Sequence, residues 1–319
     1  MKTLIKPDRL CRGDVVGLVA PASAPPDPKA VDRAATALEH LGFRPKLAKN
    51  VRSRHGFLAG TDRERATDLM AMFTDKQVKA IFCLRGGYGS SRILDRLDYE
   101  VIRRHPKILS GYSDITSLHL ALSRKIRLIC FHAPMLNGEL ADPRTPPFTR
   151  ASFLRTVMEA APAGSIRQGY EGKTVATLRG GTAAGRLLGG NLTLICASLG
   201  TPYAASFKGA ILFFEDVSEK PYRLDRSLTQ LLNSGVLSQV AGVAVGINKD
   251  CQDPDSKPGG EYRQSGEEVI KERLSSLRVP VVVGLPFGHV PVNATIPVGV
   301  QAILDGKRGD LVITEAAVR

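Results

Sequence analysis

Short strand-like and helix-like segments alternate through the first 131 residues of this 319-residue chain, and this alternation restricts the fold more than any other feature. Apolar runs predict buried strands over Val15 to Ala20, Ala80 to Leu84, Lys107 to Gly111 and Leu128 to Phe131. Between them, helical spacing predicts helices such as Lys29 to Leu41 and Asp114 to Leu122. Parallel strands joined by crossover helices produce this pattern, so we expect an α/β fold with helices on both faces of a parallel sheet.

The second half of the chain has a different pattern. Strands are predicted at 210–214, 240–247 and 281–284, with helices near 191–199, 222–234 and 265–277 and a β-rich end over 296–314. Residues 164–190 are rich in glycine, and prolines mark a connection at 137–148. We therefore expect one domain over residues 1–140, a linker over 141–168, and a smaller mixed α/β domain over 169–319.

The positive charge of the chain lies mainly in its first half. The net charge is +13, and residues 1–160 carry 27 basic and 16 acidic side chains, against 17 and 15 in residues 161–319. Such a field attracts an anionic partner, or it belongs to a solvated surface that has no partner. Nucleic acid is not the expected partner, because acidic residues are interleaved and aromatic residues make up only 6%.

The sequence predicts a cytoplasmic protein. No apolar run approaches the roughly 18 residues that span a membrane, and residues 1–7 lack the apolar core of a signal peptide. The five cysteines are widely spaced and form no Cys-x-x-Cys pair, which argues against a zinc site or a disulfide framework.

Two strand ends in the first half carry candidate chemistry. Arg85-Gly86-Gly87-Tyr88-Gly89 follows a strand, and its glycines allow backbone N–H groups to approach a ligand, although it could equally be a tight turn. It lacks the third glycine of a dinucleotide fingerprint, which argues against an oxidoreductase. At the next strand end, Ser113 occupies the position of a nucleophile on a sharp strand-to-helix turn. The alternative is that Ser113 is a helix N-cap.

A serine nucleophile needs a base, and His289 is the histidine best placed to supply one. It follows Gly284-Leu285-Pro286-Phe287-Gly288, which we expect to be a loop leaving the strand Val281 to Val283. His132, by contrast, fits a structural residue at a strand end. Glu215 ends an apolar strand and could orient a histidine, or it could form an ordinary salt bridge there.

Five short motifs stand in a fixed order along the chain. They are Arg85-Gly86-Gly87-Tyr88-Gly89, Gly111-Tyr112-Ser113-Asp114, Gly189-Gly190-Asn191-Leu192, Phe213-Phe214-Glu215-Asp216 and Gly284-Leu285-Pro286-Phe287-Gly288-His289. In order and spacing they resemble the LD-carboxypeptidases, also called muramoyltetrapeptide carboxypeptidases. The similarity extends from Gly13-Asp14 almost to the C-terminus.

The resemblance implies a Rossmann-like N-terminal domain, a smaller C-terminal α/β domain, and a site in the cleft between them. It also implies a serine peptidase triad in which Ser113 is the nucleophile, Glu215 the orienting carboxylate and His289 the general base. The N–H groups of Gly87 and Asp114 would form the oxyanion hole, or that of Gly86 in place of Gly87.

The reaction implied by the resemblance is hydrolysis of the bond between an L-centre and the terminal D-alanine of a murein tetrapeptide. No metal or cofactor is implied, and the partner would be a small anionic muropeptide rather than nucleic acid or a membrane. An enzyme of this kind in the cytoplasm would serve cell-wall recycling. Family members are often dimers, so a homodimer is also expected. The sequence does not identify the basic residue that binds the terminal carboxylate, although Arg85 adjoins the site.

An alternative to carboxypeptidase activity comes from a second branch of the same family, that of the microcin C immunity proteins. The resemblance to this branch implies cleavage of peptidyl or aminoacyl nucleotides, and the branch is associated with stacking a nucleobase on a tryptophan. This chain contains no tryptophan, which favours the carboxypeptidase branch.

Overall fold

The computed structural model describes residues 4–252 and 264–319, so residues 1–3 of the N-terminal stretch considered above lie outside it. Its first half contains the strands β1 (Val15–Val19), β2 (Arg44–Leu47), β3 (Val78–Cys83), β4 (Ile108–Gly111) and β5 (Cys130–His132). These strands are parallel and lie side by side in the order β5-β4-β3-β1-β2. The predicted α/β fold with a parallel sheet is confirmed.

Helices connect these strands, as the alternation predicts. They are α1 (Ala30–His40), α2 (Asp62–Thr74), α3 (Tyr99–Arg104) and α4 (Thr116–Ile126). The N-terminus of α2 is a capping box in which Thr61 and Glu64 each accept the other's backbone N–H. Ser90–Arg96 and Ser113–Ile115 are 3-10 helices, so the helix predicted from Asp114 begins as a 3-10 turn and becomes an α-helix only at Thr116.

The second half contains a longer series of elements. In chain order they are α5 (Pro147–Met158), β6 (Gly164–Ser165), β7 (Ala176–Arg179), β8 (Thr182–Asn191), α6 (Leu192–Ser198), β9 (Ile211–Glu215), α7 (Pro221–Asn233), α8 (Val236–Gln239), β10 (Gly242–Ile247), α9 (Gly266–Ser275), β11 (Val281–Gly288), β12 (Ile296–Val298), β13 (Gln301–Asp305) and β14 (Asp310–Ile313).

Most of these strands form a second sheet, in the order β6-β14-β13-β8-β9-β10-β11-β7. Its centre, β8-β9-β10-β11, is parallel, and the outer pairs are antiparallel. The remaining strand, β12, joins the first sheet and pairs antiparallel with β5. The sequence predicts a β-rich end there, but gives no indication of this pairing between distant parts of the chain, from Cys130–His132 to Ile296–Val298.

The strand β8 lies in the glycine-rich stretch that has no regular period in the sequence. A Cβ atom on Gly189 would lie 1.7 Å from the carbonyl oxygen of Phe213, in the neighbouring strand β9. Only glycine fits at this distance, so its presence reflects close packing of two strands rather than a loop.

No helix in the described parts of the chain, residues 4–252 and 264–319, is long and apolar enough to cross a membrane. The five cysteines are free, and four of them are buried. Cys83, Cys130 and Cys196 lie in the hydrophobic core, as their apolar surroundings in the sequence predict.

Candidate active site

Ser113 lies on a sharp turn between the end of β4 and the start of α4. Its backbone has a φ of 60°, in the left-handed region that costs a residue other than glycine on the order of 1 kcal/mol. The side chain is half-buried. Tyr112 and Ile115 occupy the N-cap positions of the 3-10 helix and of α4, and neither helix has a side-chain cap. Ser113 is therefore not a helix cap, and its hydroxyl is held on a strained turn.

The glycine-rich turn after β3 lies directly against Ser113. A Cβ atom on Gly86 would lie 2.9 Å from Cβ and 3.2 Å from Oγ of Ser113, and 3.2 Å from the backbone nitrogen of Asp114. A side chain at position 86 would collide with the serine turn. The absence of one lets the two strand ends come together.

Hydrogen bonds hold the two turns in this arrangement. The Ser90 N–H donates to the buried carboxylate of Asp114 over 2.8 Å, and the Ser90 hydroxyl donates to the Asp114 carbonyl over 2.5 Å. On the other side of the turn, Ser23 accepts the Tyr88 N–H over 3.0 Å, and its own N–H donates to the Gly86 carbonyl over 3.2 Å. The turn is therefore fixed at both ends.

Backbone donors remain available at this junction. Within the described part of the chain, the N–H groups of Gly86, Gly87 and Asp114 have no hydrogen-bond acceptor, so Gly86 stays an alternative to Gly87. The side chain of Asp114 points away into the protein, where burial raises its pKa and hydrogen bonds from Ser90 oppose that shift. Free N–H groups beside a serine hydroxyl are the kind of donor that stabilises an oxyanion.

Glu215 and His289 meet at the carboxyl ends of two strands of the second sheet. Glu215 is the last residue of β9, and His289 follows the last residue of β11, with β10 between them. Nδ1 of His289 lies 2.6 Å from Oε2 of Glu215. The expectation that residues 284–288 form a loop is wrong: β11 continues to Gly288 through register shifts, so a strand positions the histidine.

Burial and charge set the protonation of this pair. Burial raises the pKa of the Glu215 carboxyl, and the hydrogen bond with His289 opposes that shift. Burial lowers the pKa of His289, but the hydrogen bond with Glu215 and the carboxylates of Glu215, Asp216 and Glu139 more than offset this, so the pKa lies above its ordinary value. Because a carboxylate only accepts, Nδ1 carries a proton when the imidazole is neutral, which leaves the lone pair of Nε2 available to accept a proton.

The neighbouring carboxylate, Asp216, has a different role. One of its oxygens accepts from the Asn191 amide over 2.8 Å and from the Val217 N–H over 2.9 Å. The other accepts from the N–H and the hydroxyl of Thr193, over 3.0 and 2.8 Å. Asp216 therefore fastens the start of α6 to the end of β9, and Glu215 is the carboxylate that faces the histidine.

Tyr112 connects the serine turn with the histidine, and sequence analysis did not single it out. Its ring centroid lies 4.7 Å from that of His289, and its hydroxyl donates to Glu139 over 2.7 Å. The chain thus places the residue before Ser113 in contact with His289. The only indication in the sequence was the position of Tyr112 inside a quoted motif.

His132 is a buried core residue that packs against Tyr112. Its ring packs edge-to-face against Tyr112 and Phe213 at 5.6 and 5.5 Å between centroids, and burial lowers its pKa well below the ordinary value. Within the described chain, neither ring nitrogen has a hydrogen-bond partner. The prediction of a structural residue at a strand end is consistent with these surroundings. No cluster of His, Cys, Asp and Glu in the described residues could hold a metal ion.

Known proteins resemble this chain in both sequence and structure. Residues 16–133 match the model of the LD-carboxypeptidase N-terminal domain, and residues 184–304 match that of the LD-carboxypeptidase C-terminal domain. A probable murein peptide carboxypeptidase of Bacillus subtilis (strain 168) is 40% identical, over 98% of this chain and 95% of that protein.

Two solved structures are also similar. The muramoyltetrapeptide carboxypeptidase from Oxalobacter formigenes superposes with a TM-score of 0.82 and 31% identity, over 94% of this chain and 99% of that one. The microcin C7 self immunity protein MccF in complex with aspartyl sulfamoyl adenosine superposes with a TM-score of 0.86 and 25% identity, over 99% of this chain and 100% of that one.

Proposed function

This chain belongs to the LD-carboxypeptidase family, and from that membership we propose that it releases the terminal D-alanine of a murein tetrapeptide. The bond cleaved joins an L-centre to D-alanine, and the second product is a tripeptide. The observation that carries the proposal is the 2.6 Å contact between His289 and Glu215, which prepares a histidine to act as a base. The proposed catalytic serine is Ser113.

The reaction begins with attack by the Ser113 hydroxyl on the carbonyl carbon of the scissile bond. Nε2 of His289 takes the hydroxyl proton, and Glu215 stabilises the imidazolium that forms. The N–H groups of Gly87 and Asp114 donate to the oxyanion of the tetrahedral intermediate. When the intermediate collapses, the C–N bond breaks and His289 gives its proton to the amine of D-alanine.

Water completes the cycle. With D-alanine gone, His289 is neutral again and takes a proton from a water molecule, which attacks the ester carbonyl of the acyl-enzyme. The second tetrahedral intermediate uses the same two N–H donors. Its collapse releases the tripeptide carboxylate and returns the proton to Ser113.

A second candidate substrate is an aminoacyl nucleotide. The observation in its favour is the similarity to the MccF structure that contains aspartyl sulfamoyl adenosine. The same triad would act on either substrate, because both reactions hydrolyse an acyl bond. The absence of tryptophan from this chain removes the aromatic residue associated with nucleobase stacking, so we rank this substrate second.

Incubation of the purified protein with each substrate tests the proposal. We expect D-alanine release from murein tetrapeptide and no hydrolysis of an aminoacyl sulfamoyl adenylate, both followed by mass spectrometry. Hydrolysis of the adenylate without D-alanine release would reverse the ranking. The wider setting that we propose is cytoplasmic cell-wall recycling by a homodimer, which cell fractionation and sedimentation equilibrium test.

The proposed division of the chain is consistent with this mechanism. Residues 1–140 would carry Ser113 and the oxyanion donors, and residues 169–319 would carry Glu215 and His289. The surplus of basic residues in the first half would attract a substrate that bears several carboxylates.

A further inference from the structure

A cavity of about 560 Å³ opens beside the proposed base, His289. Its lining includes the loop that follows β5, residues 138–145, together with Lys249 and the segment 289–291. The charged residues in this lining are Glu139, Asp142, Arg144 and Lys249, in addition to His289 itself. Any catalytic role for this cavity rests on the proposed function.

The chemistry of the proposed reaction puts the leaving group next to His289. Nδ1 of the imidazole is bound to Glu215, so Nε2 must deliver the proton to the amine of D-alanine. Proton transfer requires the two nitrogens to lie about 3 Å apart. The carboxylate of D-alanine is separated from that amine by a single carbon atom. It must therefore lie in the space that adjoins His289, and the cavity is such a space.

Two basic side chains, Arg144 and Lys249, line the cavity, and Arg144 already forms an ion pair with Asp142. Nε and Nη2 of Arg144 donate to the two oxygens of Asp142 over 3.0 and 2.8 Å. Glu139 is also occupied, since its oxygens accept the Tyr112 hydroxyl over 2.7 Å and the Met135 N–H over 3.1 Å.

Lys249 is the other basic residue in the lining, and its charge is available to a ligand. Within the described part of the chain, its ammonium group has no ion pair or hydrogen bond. Its backbone is fixed close to the triad, because its N–H donates to the Asp216 carbonyl over 3.1 Å and its carbonyl accepts the Ser218 N–H over 2.9 Å. An exposed ammonium on a fixed backbone beside His289 is suited to bind a carboxylate.

Arg85, the basic residue that adjoins the glycine-rich turn, is not equivalent. Its Nη1 donates to the Ala24 carbonyl over 3.0 Å, which joins the turn after β3 to the loop after β1. Arg85 also does not belong to the lining of the cavity at His289.

We propose that Lys249 binds the carboxylate of the departing D-alanine and thereby restricts cleavage to the last bond of the peptide. A substrate that continues beyond this residue, or that ends in an amide, has no charge to offer Lys249. The cavity is then the leaving-group subsite, and Lys249 is the residue that determines specificity for a free C-terminus.

A pair of substrates tests this assignment: the tetrapeptide with a free D-alanine carboxylate, and the same peptide ending in D-alaninamide. We expect the unaltered protein to prefer the acid about 10- to 100-fold in kcat/KM, as one hydrogen bond to a charged group would produce. Lys249→Met should lower kcat/KM for the acid by that factor, leave the amide unchanged, and so remove the preference. Lys249→Arg should keep most of it.

Arg144→Met is the matched control, since it removes the other cation of the same cavity, and we expect it to retain the preference for the acid. An equal loss on both substrates in Lys249→Met would overturn the assignment, as would loss of the preference in Arg144→Met instead. If the unaltered protein releases nothing from either peptide, the proposed function fails, and this inference fails with it. Release of product with no effect of Lys249→Met contradicts the inference alone.

Discussion

The imidazole of His289 packs against the ring of Tyr112, the residue immediately before Ser113, with 4.7 Å between the ring centroids. This contact joins the end of β11, in the second sheet, to the end of β4, in the first. The Tyr112 hydroxyl donates to Glu139, so the side chain cannot move away from His289 without breaking a partly buried hydrogen bond. The nucleophile and base proposed here thus lie on turns that touch through one aromatic side chain.

Substitution of Tyr112 should separate the two effects of this side chain. Tyr112→Phe keeps the ring against His289 but removes the hydroxyl from one Glu139 oxygen, so we expect a loss of about 0.5–1.5 kcal/mol in the free energy of unfolding and less than about 10-fold in kcat. Tyr112→Ala removes the ring and should lower kcat further, by about 10- to 100-fold, because the imidazole of His289 loses the packing contact that fixes its orientation. Urea denaturation and D-alanine release measure the two quantities. Equal activity of the Phe and Ala variants would show that the ring does not position His289.

Ser113→Ala should abolish turnover and leave the thermal unfolding midpoint nearly unchanged, because the hydroxyl caps no helix. Ser113→Gly should be equally inactive yet more stable by about 1 kcal/mol, since glycine adopts a φ of 60° without strain. The measurements are D-alanine release and thermal denaturation of the three proteins side by side. Substantial activity in either variant would falsify the assignment of Ser113 as the nucleophile.

The rate should depend on pH through His289. The proposed base must be neutral to accept the proton of the proposed nucleophile, so kcat/KM should rise with pH and level off above the pKa of His289. Because that pKa lies above its ordinary value of 6.5, the inflection should fall above pH 6.5.

Glu215→Gln provides the control for this pH dependence. It removes the charge that raises the pKa of His289, so the inflection should move to lower pH while kcat falls by about 100-fold or more. A pH–rate profile of each protein over a range of about pH 5 to 9 measures both changes. If the inflection stays in place in Glu215→Gln, the carboxylate does not control the base.

The parts of the fold that could be predicted from the sequence are those that depend on local patterns. The buried strands β1, β3 and β4 are short apolar runs, and the capping box of α2 is specified by Thr61 and Glu64. The strand β2, Arg44–Leu47, was missed because it lies at the edge of its sheet and none of its four residues is buried, so it forms no apolar run. Non-local packing determines β8, whose Gly189 fits against the Phe213 carbonyl, and no local pattern shows that.

In the candidate site, too, some residues could be predicted from local sequence patterns and others depend on contacts between distant parts of the chain. Ser113, Glu215 and His289 stand at or next to strand ends, where sequence reasoning looks for functional residues. Tyr112 and the fully buried Arg65 were not foreseen, since their roles depend on contacts made across the fold. Arg65 lies in α2, and its guanidinium donates to the Gly89 carbonyl over 2.7 Å, so a buried hydrogen bond fixes the end of the glycine-rich turn. A buried arginine in a helix with a polar sequence cannot be recognised without the partner that it binds.

The contact between Gly86 and the serine turn leads to the last prediction. In Gly86→Ala the added methyl group would lie 2.9 Å from Cβ of Ser113 and 3.2 Å from the Asp114 nitrogen, so one of the two turns must move. A displaced oxyanion donor typically costs about 100-fold or more in rate, and we expect kcat to fall by that amount. Gly180→Ala is the matched control, because a Cβ there meets no atom within 4 Å and the backbone has no positive φ. We expect Gly180→Ala to keep full activity in the assay of D-alanine release. Should Gly86→Ala remain as active as Gly180→Ala, the glycine-rich turn would not form a wall of the active site.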